Sequence, residues 1–358
     1  MPRPTAESVA NHPALPAEAL AAWLRQALGL DGELTIERFT RGWSNLTFRV
    51  QVGDRRVVVR RGPPGVKIGG AHDMLREARI LRGVRAAWPY VPEVLAVCER
   101  DDVIGGPFYV MAEVDGVILR ADLPRGFDAT PERMAGIAGA AIDALAAIHE
   151  LDLNAAGLAE VGRPDGYLRR QVDGWRRRFA KAATAPAPDI ERLGDWLAAH
   201  MPPASAATLV HNDFKHDNLV LDREDPTRLV AVLDWEMATV GDPLLDLGTA
   251  LAWWVDPDDP WELQALRQGP THLPGNPTRT QVAQRYAERR GQDFDPLWYF
   301  LMGLFKNIVV GEQLHARFKA GLSDDPRFEA LGPLVRGLGA VGMRAVAAGR
   351  MDGLKADG

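Results

Sequence analysis

Apolar residues recur at helical spacing over residues 16–28 (PAEALAAWLRQAL), and Gly29 supplies a stop. The period then changes. Runs at Glu33–Phe39, Leu46–Val52 and Arg55–Arg60 predict strands, the third built on the β-branched Val57-Val58-Val59. Gly53-Asp54 predicts a hairpin turn between the second and third. A Pro/Gly loop covers 61–71, and Asp73 is placed to cap a helix through MLREARILRGV with Met74, Ala78 and Leu81 inward. Two further strands are predicted at Glu93–Cys98 and Phe108–Glu113. After Gly116 the pattern turns helical, over 130–149, 165–180 and 188–200. A β interlude at Thr208–Val210, Leu219–Leu221 and Leu229–Leu233 precedes helices at 243–254, 277–290, 295–316 and 328–348. No internal repeat is visible. The pattern predicts an α+β chain with a β-rich lobe at 1–115, a linker near 112–120 and a larger helical lobe at 116–358.

Composition narrows this. The chain has 358 residues, which at roughly 150 residues per domain allows two or three packed units. Charged residues are 25%, hydrophobic residues 46% and the net charge is −6, ordinary globular values that disfavour a broadly basic nucleic-acid binder. The single cysteine, Cys98, excludes an intramolecular disulfide and a Cys-based zinc site; it is read as a small core residue. The N-terminal residues lack the apolar run of a signal peptide. The compact apolar stretch near Ala250–Val255 falls far short of the roughly 18 residues that span a bilayer. The expectation is a soluble cytoplasmic protein with neither nucleic acid nor membrane as partner; oligomeric state is left open.

The chemistry concentrates in Leu209-Val-His-Asn-Asp-Phe-Lys-His-Asp-Asn-Leu-Val-Leu221. Chargeable residues lie between two apolar strand-like runs, which would hold the loop rigid, as a preorganised site requires. Sixteen residues after Asn218 stands Asp234, at the end of the apolar run Leu229–Leu233. Asp213, Asn218 and Asp234 are hard oxygen donors, a set suited to Mg²⁺ with phosphate oxygens and water. The chain has no G-x-x-x-x-G-K-[ST], no G-x-S-x-G and no H-E-x-x-H, which removes P-loop enzymes and the usual hydrolase signatures.

His211-Asn-Asp-Phe-Lys-His-Asp-Asn218 resembles the catalytic loop of protein kinases, H-R-D-L-x-x-x-N, with matching spacings of two and five. Asp234-Trp-Glu stands where kinases have Asp-Phe-Gly. With Gly241-Asp-Pro-Leu-Leu-Asp-Leu following, the pattern is more similar to the aminoglycoside-phosphotransferase-like family, which includes choline and homoserine kinases. Within that group it resembles phosphotransferase domains fused to, or encoded beside, acyl-CoA dehydrogenases. The resemblance runs from about residue 33 to 315.

This likeness implies a bilobal protein-kinase-like fold, a small antiparallel-sheet lobe over a larger helical one, with ATP and Mg²⁺ between them. It implies that Asp213 orients the acceptor hydroxyl and takes its proton, and that Asn218 and Asp234 hold Mg²⁺. Lys215 falls where protein kinases place a lysine on the transferring phosphate. Phe39–Phe48, with Gly42, Ser44 and Asn45, resembles the family's nucleotide loop. Arg60 stands in place of the phosphate-contacting lysine, Glu77 matches its partner glutamate, and Met111, Glu113 and Val114 fall at the adenine hinge. The implied activity is transfer of the γ-phosphate to a hydroxyl of a small molecule, such as a hydroxyacyl-CoA or related hydroxy acid. The alternatives are an antibiotic kinase or a nucleotide-binding pseudokinase, whose mark would be loss of Asp213 or Asp234. A protein kinase is disfavoured, because Asp-Phe-Gly and Ala-Pro-Glu are absent.

Other residues have plainer readings. His211 is expected to support the loop, and His149 to be structural. Asp242 and Asp246 are expected to cap and brace the helix that follows. Trp253 and Trp254 are read as core, and Arg61 as an exposed strand-end residue. The acidic run Asp256–Pro260 is read as a solvated loop. His216 and Asp217 either face solvent or touch substrate; Glu236 either reaches metal through water or stabilises its loop. Arg169, Arg170, Arg176, Arg177 and Arg178 are either contacts for a CoA ester or a solvated face.

Overall fold

The computed structural model describes residues 15–39, 45–63 and 72–355. A leading helix α1 (Ala17–Leu28) is followed by strands β1 (Leu34–Arg38), β2 (Leu46–Val52) and β3 (Arg55–Arg61). Helix α2 (Met74–Ala87) then leads to β4 (Val94–Cys98) and β5 (Phe108–Ala112). The five strands form one antiparallel sheet in the order β1-β2-β3-β5-β4.

Successive strand residues face opposite sides. Val57, Val59, Phe108 and Val110 therefore share a face with Phe48 and Val50, and α1 covers it through Leu20 and Leu24. The opposite face of the sheet meets α2, whose Met74, Ala78, Leu81 and Val84 belong to the main core. The Asp73 carboxylate accepts from the Arg76 N–H and caps α2. Burial of that face carries Arg60 and its register partner Tyr109 inward together.

The remainder is mostly helical: α3 (Pro131–His149), α4 (Tyr167–Ala182) and α5 (Pro188–Ala199) come first. Four short strands follow, β6 (Thr208–Val210), β7 (Leu219–Leu221), β8 (Leu229–Val232) and β9 (Thr239–Gly241). Then come α6 (Pro243–Trp253), the single turn α7 (Trp261–Gln264), α8 (Arg279–Arg290), α9 (Pro296–Lys319) and α10 (Leu331–Ala348). The periodicity of the sequence anticipated all of these but β9 and α7. β9 is three residues long and gains its identity from pairing with β6, a contact that no local pattern carries. No described helix is long and apolar enough to cross a membrane.

Two expectations are corrected here. Arg61 is not exposed: it shares the α1 face of β3, is 4% accessible, and its guanidinium donates to the Ile104 carbonyl. The run 256–260 is not simply solvated. Asp256 and Asp259 are buried and close on Arg279, itself buried at the start of α8.

Helices α6 and α9 cross at their closest on two glycines. A Cβ added at Gly248 would fall on the Tyr299 carbonyl, and one at Gly303 on the Gly248 carbonyl. Backbone cannot yield as a flexible side chain does. Gly248→Ala is therefore expected to lower unfolding free energy by about 1–3 kcal/mol or more in urea titrations.

Candidate active site

Strands β6 and β7 bound the polar loop. Its geometry is set by Asp246, fully buried on the first turn of α6. One carboxylate oxygen accepts from the His211 N–H at 2.6 Å, the other from the Asn212 N–H at 2.7 Å. His149 Nε2 donates to the same carboxylate at 3.1 Å, and its Nδ1 meets the Tyr286 hydroxyl at 2.6 Å. Burial would raise the Asp246 carboxyl, but these donors hold it below its ordinary value. Asp246 thus serves the loop rather than the helix end; the cap of α6 is Asp242, which accepts from the Leu244 N–H.

Asn212 adopts the left-handed conformation, φ 65°. All its polar groups are used: the carbonyl accepts from Lys306, the amide oxygen from the Tyr167 hydroxyl at 3.1 Å, and Nδ2 donates to the Met237 carbonyl at 3.0 Å. Four bonds offset the strain of a non-glycine residue at positive φ. The next residue, Asp213, donates its N–H to His211 Nδ1 at 3.2 Å, and His211 Nε2 donates to the Leu233 carbonyl at 2.9 Å. The Asp213 carboxylate accepts from Lys215 Nζ at 2.7 Å and Asn218 Nδ2 at 3.3 Å. Burial pushes the Lys215 ammonium down, and Asp213 together with Asp234 and Asp217 more than compensates, so it lies above its ordinary value. The ammonium also sits 5.2 Å from the Trp253 ring centre.

β7 pairs with β8, Leu219 opposite Val232, and the Leu233 N–H donates to the Asn218 carbonyl at 2.8 Å. This register brings Asn218 and Asp234 to one end of the hairpin. Asp234, also left-handed at φ 67°, turns toward the sheet. There Arg60 gathers four partners. Its Nη2 donates to Asp234 at 2.5 Å and to Glu236 at 2.8 Å, its Nε to Glu77 at 3.1 Å and its Nη1 to the Thr47 hydroxyl at 3.2 Å. Burial would weaken the cation, but Glu77, Asp234 and Glu236 hold it well above its ordinary value. Asn45 Nδ2 donates to Glu236 at 2.7 Å, and Asn45 Oδ1 meets His72 Nδ1 at 3.0 Å.

The donor set can be tested against Mg²⁺. Asn218 makes its side-chain bonds through Nδ2 alone, which leaves Oδ1 as a hard acceptor at the end of the hairpin that also carries Asp234. Among the described residues no three His, Cys, Asp or Glu side chains group as a metal cluster. One carboxylate and one amide oxygen are a sparse set of the kind Mg²⁺ uses when phosphate and water complete its shell. The residues fit.

Comparisons with known proteins place the chain in a family. A profile of the phosphotransferase enzyme family matches residues 35–284. The chain belongs to that family. It is 32% identical to acyl-CoA dehydrogenase family member 10 of Mus musculus over 94% of this chain and 31% of that protein. It is 36% identical to acyl-CoA dehydrogenase family member 11 of Gallus gallus over 81% of this chain and 38% of that protein. The chain thus spans about a third of the length of these relatives. A putative aminoglycoside phosphotransferase from Ralstonia eutropha JMP134 superposes with TM-score 0.78 at 29% identity, covering 92% of this chain and 98% of that one. An aminoglycoside phosphotransferase in ternary complex with ADP and hygromycin B shares the fold, TM-score 0.54 at 17% identity, covering 90% and 99%.

In this phosphotransferase the remaining expected site residues are distributed unevenly. Gly42 and Ser44 lie outside the described residues. Met111 is within β5, whose ladder ends at Ala112, so Glu113 and Val114 continue beyond it. The Glu113 carboxylate accepts from Arg49 Nε at 2.7 Å. Asp217 pairs with Arg120 at 2.5 Å. His216 is not solvent-facing: it packs against the Trp254 ring and Gly269. Sequence reasoning missed Asn212, Tyr109, Arg120 and Lys306. For Lys306 a signal existed, since it is the lone charge in YFLMGLFKNIVV.

Burial lowers His216 from 6.5 to about 4. The unfolded chain therefore binds a proton that the folded one refuses, and stability falls as pH drops from about 6.5 to 4. At about 1.4 kcal/mol for each tenfold change in proton concentration, the loss is about 3 kcal/mol. Denaturant melts of His216→Gln across that range are expected to show a shallower fall than the wild-type protein.

Proposed function

We propose that this phosphotransferase moves the γ-phosphate of ATP, with Mg²⁺, to a hydroxyl of a small molecule. The carrying observation is the convergence of Asp213, Lys215, Asn218 and Asp234 with Arg60 from the sheet. The nucleotide would lie between the lobes 1–115 and 116–358, its adenine against the main chain at Met111–Val114. Its phosphates would lie near Gly42, Ser44 and Asn45, with Arg60 and Glu77 behind them. Support for a nucleotide comes from the ADP complex of a protein with this fold.

Asp213 would take the acceptor proton as the acceptor oxygen forms its bond to phosphorus. The bond from the γ-phosphorus to the bridging oxygen breaks, and ADP leaves with that electron pair. Lys215, held on Asp213, lies where positive charge would meet the transferring group. Mg²⁺, held by Asn218 and Asp234, would neutralise phosphate charge. Arg60 already occupies one Asp234 oxygen and would share that carboxylate or release it.

A hydroxylated acyl group, as in a hydroxyacyl-CoA, is the favoured acceptor, supported by the named relatives. The pseudokinase alternative is disfavoured because the base and metal positions are all filled. The lone Cys98 fits a reducing compartment, and we read the enzyme as cytoplasmic.

Asp213→Asn is expected to lower kcat by about 10²–10⁴ in a coupled ADP-release assay over hydroxyacyl-CoAs, aminoglycosides, choline and homoserine. Undiminished turnover would exclude Asp213 as the base. Mg-ATP at 100 times its Kd is expected to stabilise the native protein by about 2.7 kcal/mol. No thermal shift under saturating Mg-ATP would remove the nucleotide from the reading altogether.

A further inference from the structure

Behind the polar loop lies a cavity of about 160 Å³ walled by α4, α6 and α9. Lys306 from α9 and Arg178 from α4 line it, with Trp175 and Gln171 alongside, and Asn212, the residue before Asp213, also lines it. No carboxylate is among its lining residues. That charge pattern is unusual for a chain of net charge −6.

Neither cation makes an ion pair among the described residues, although Asp213 and Asp246 lie near enough to favour the Lys306 charge and Arg178 is exposed. Among the described residues, Lys306 Nζ makes one hydrogen bond, to the Asn212 carbonyl, and no ion pair. An ammonium has three donors, so two remain. Burial holds Lys306 below its ordinary value, the sign of a cation short of compensation. The nearby carboxylates are committed elsewhere: Asp213 to Lys215 and Asn218, Asp246 to His149 and the loop N–H groups. Arg178 makes no ion pair among the described residues, and its guanidinium lies 4.5 Å from the centre of the Trp175 ring. The Trp175 ring is fixed in turn by its Nε1 bond to Gln171 at 3.1 Å. Two of the other α4 arginines are placed differently: Arg176 pairs with Asp195, and Arg170 donates to the Asp165 and Arg163 carbonyls.

We propose that this cavity is the acceptor's seat, and that Lys306 and Arg178 bind an anionic group on the acceptor, a carboxylate or a phosphate, so that its hydroxyl lies toward Asp213. The proposal rests on the phosphotransfer reading and adds the charge class of the substrate. An ammonium and a guanidinium fork supply the donors that an acid group demands. The same pair repels a polycation, so an aminoglycoside is the wrong class of acceptor for this chain. Asn212 then has a second duty: its carbonyl fixes one end of Lys306, and its own fixed backbone aims Asp213, so anion and base share one rigid frame.

The test measures binding and turnover separately on the full chain. Thermal shifts of the Mg-ADP-loaded protein are read with β-hydroxybutyrate, β-hydroxybutyramide, β-hydroxybutyryl-CoA, choline and kanamycin, and phosphate transfer is assayed on the same compounds. Expected are shifts for the anionic compounds alone. Lys306→Met and Arg178→Gln are each expected to weaken anion binding about tenfold or more, while both variants keep the Mg-ADP shift and Lys306→Arg restores part of the affinity. Among the described residues Arg178 makes no hydrogen bond to the loop, so its variant guards against a merely structural effect of removing Lys306. A shift with the free acid assigns the seat to a carboxylate; a shift with the CoA ester alone assigns it to the CoA phosphates. Equal binding of the amide, choline or kanamycin, or unchanged anion affinity in both variants, would overturn the proposal. Anion binding that depends on Lys306 without any phosphate transfer would leave the seat standing and remove the phosphotransfer reading. Transfer that ignores acceptor charge would do the reverse.

Discussion

The site depends on one buried carboxylate. Asp246 accepts hydrogen bonds from two successive backbone N–H groups and from His149, and so ties the polar loop to α6. A buried charge is tolerable only when its lone pairs are used, and here they are. The tie transmits rigidity outward. Helix α6 packs backbone against backbone on α9 at Gly248 and Gly303. Asn212 is then held from four directions in a strained conformation, and Asp213 follows it. A loop fixed in this way needs no reorganisation when a reacting group arrives, which is the physical basis of preorganised catalysis.

Arg60 performs a comparable task across the molecule. Its partners come from α2, β2 and the segment after β8, so one guanidinium joins the sheet to the helical body. A planar fork with five donors can do this; an ammonium at the same place could not keep the same geometry. The chain is acidic, yet its cations gather where phosphates or acids would bind: Arg60, Lys215, Lys306 and Arg178. Local concentration of positive charge within a net-negative chain favours anionic ligands at the site without making the whole surface adhesive to nucleic acid.

Much of the fold was legible because burial writes a period into the sequence. The alternation through Val57–Arg61 and the 3.6-residue pattern of the long helices follow from one face of each element meeting a core. The two polar clusters around Asp213 and Asp234 stood out because charged side chains interrupt apolar strands there. The errors have a common cause. Arg61, Asp256 and Asp259 look exposed from their charge alone, yet each is satisfied by a partner outside its own element: Ile104 in one case, Arg279 in the others. Asp246 was read as bracing its own helix, since its position on the first turn says nothing of a loop 34 residues earlier.

The sequence by itself determined nearly all the elements, β9 and α7 excepted, with their order and the identity of the chemical groups, because propensity, periodicity and motif spacing are local properties. The tertiary structure alone decided which charges meet. It paired Arg60 with Asp234, set Lys306 behind Asn212, opened a cavity lined by two cations and no carboxylate, and put Trp253 beneath Lys215. Those outcomes depend on how α4, α6 and α9 pack and on the register of β7 with β8. Interactions between residues 94 or 174 positions apart leave no period in the chain for a reader to find.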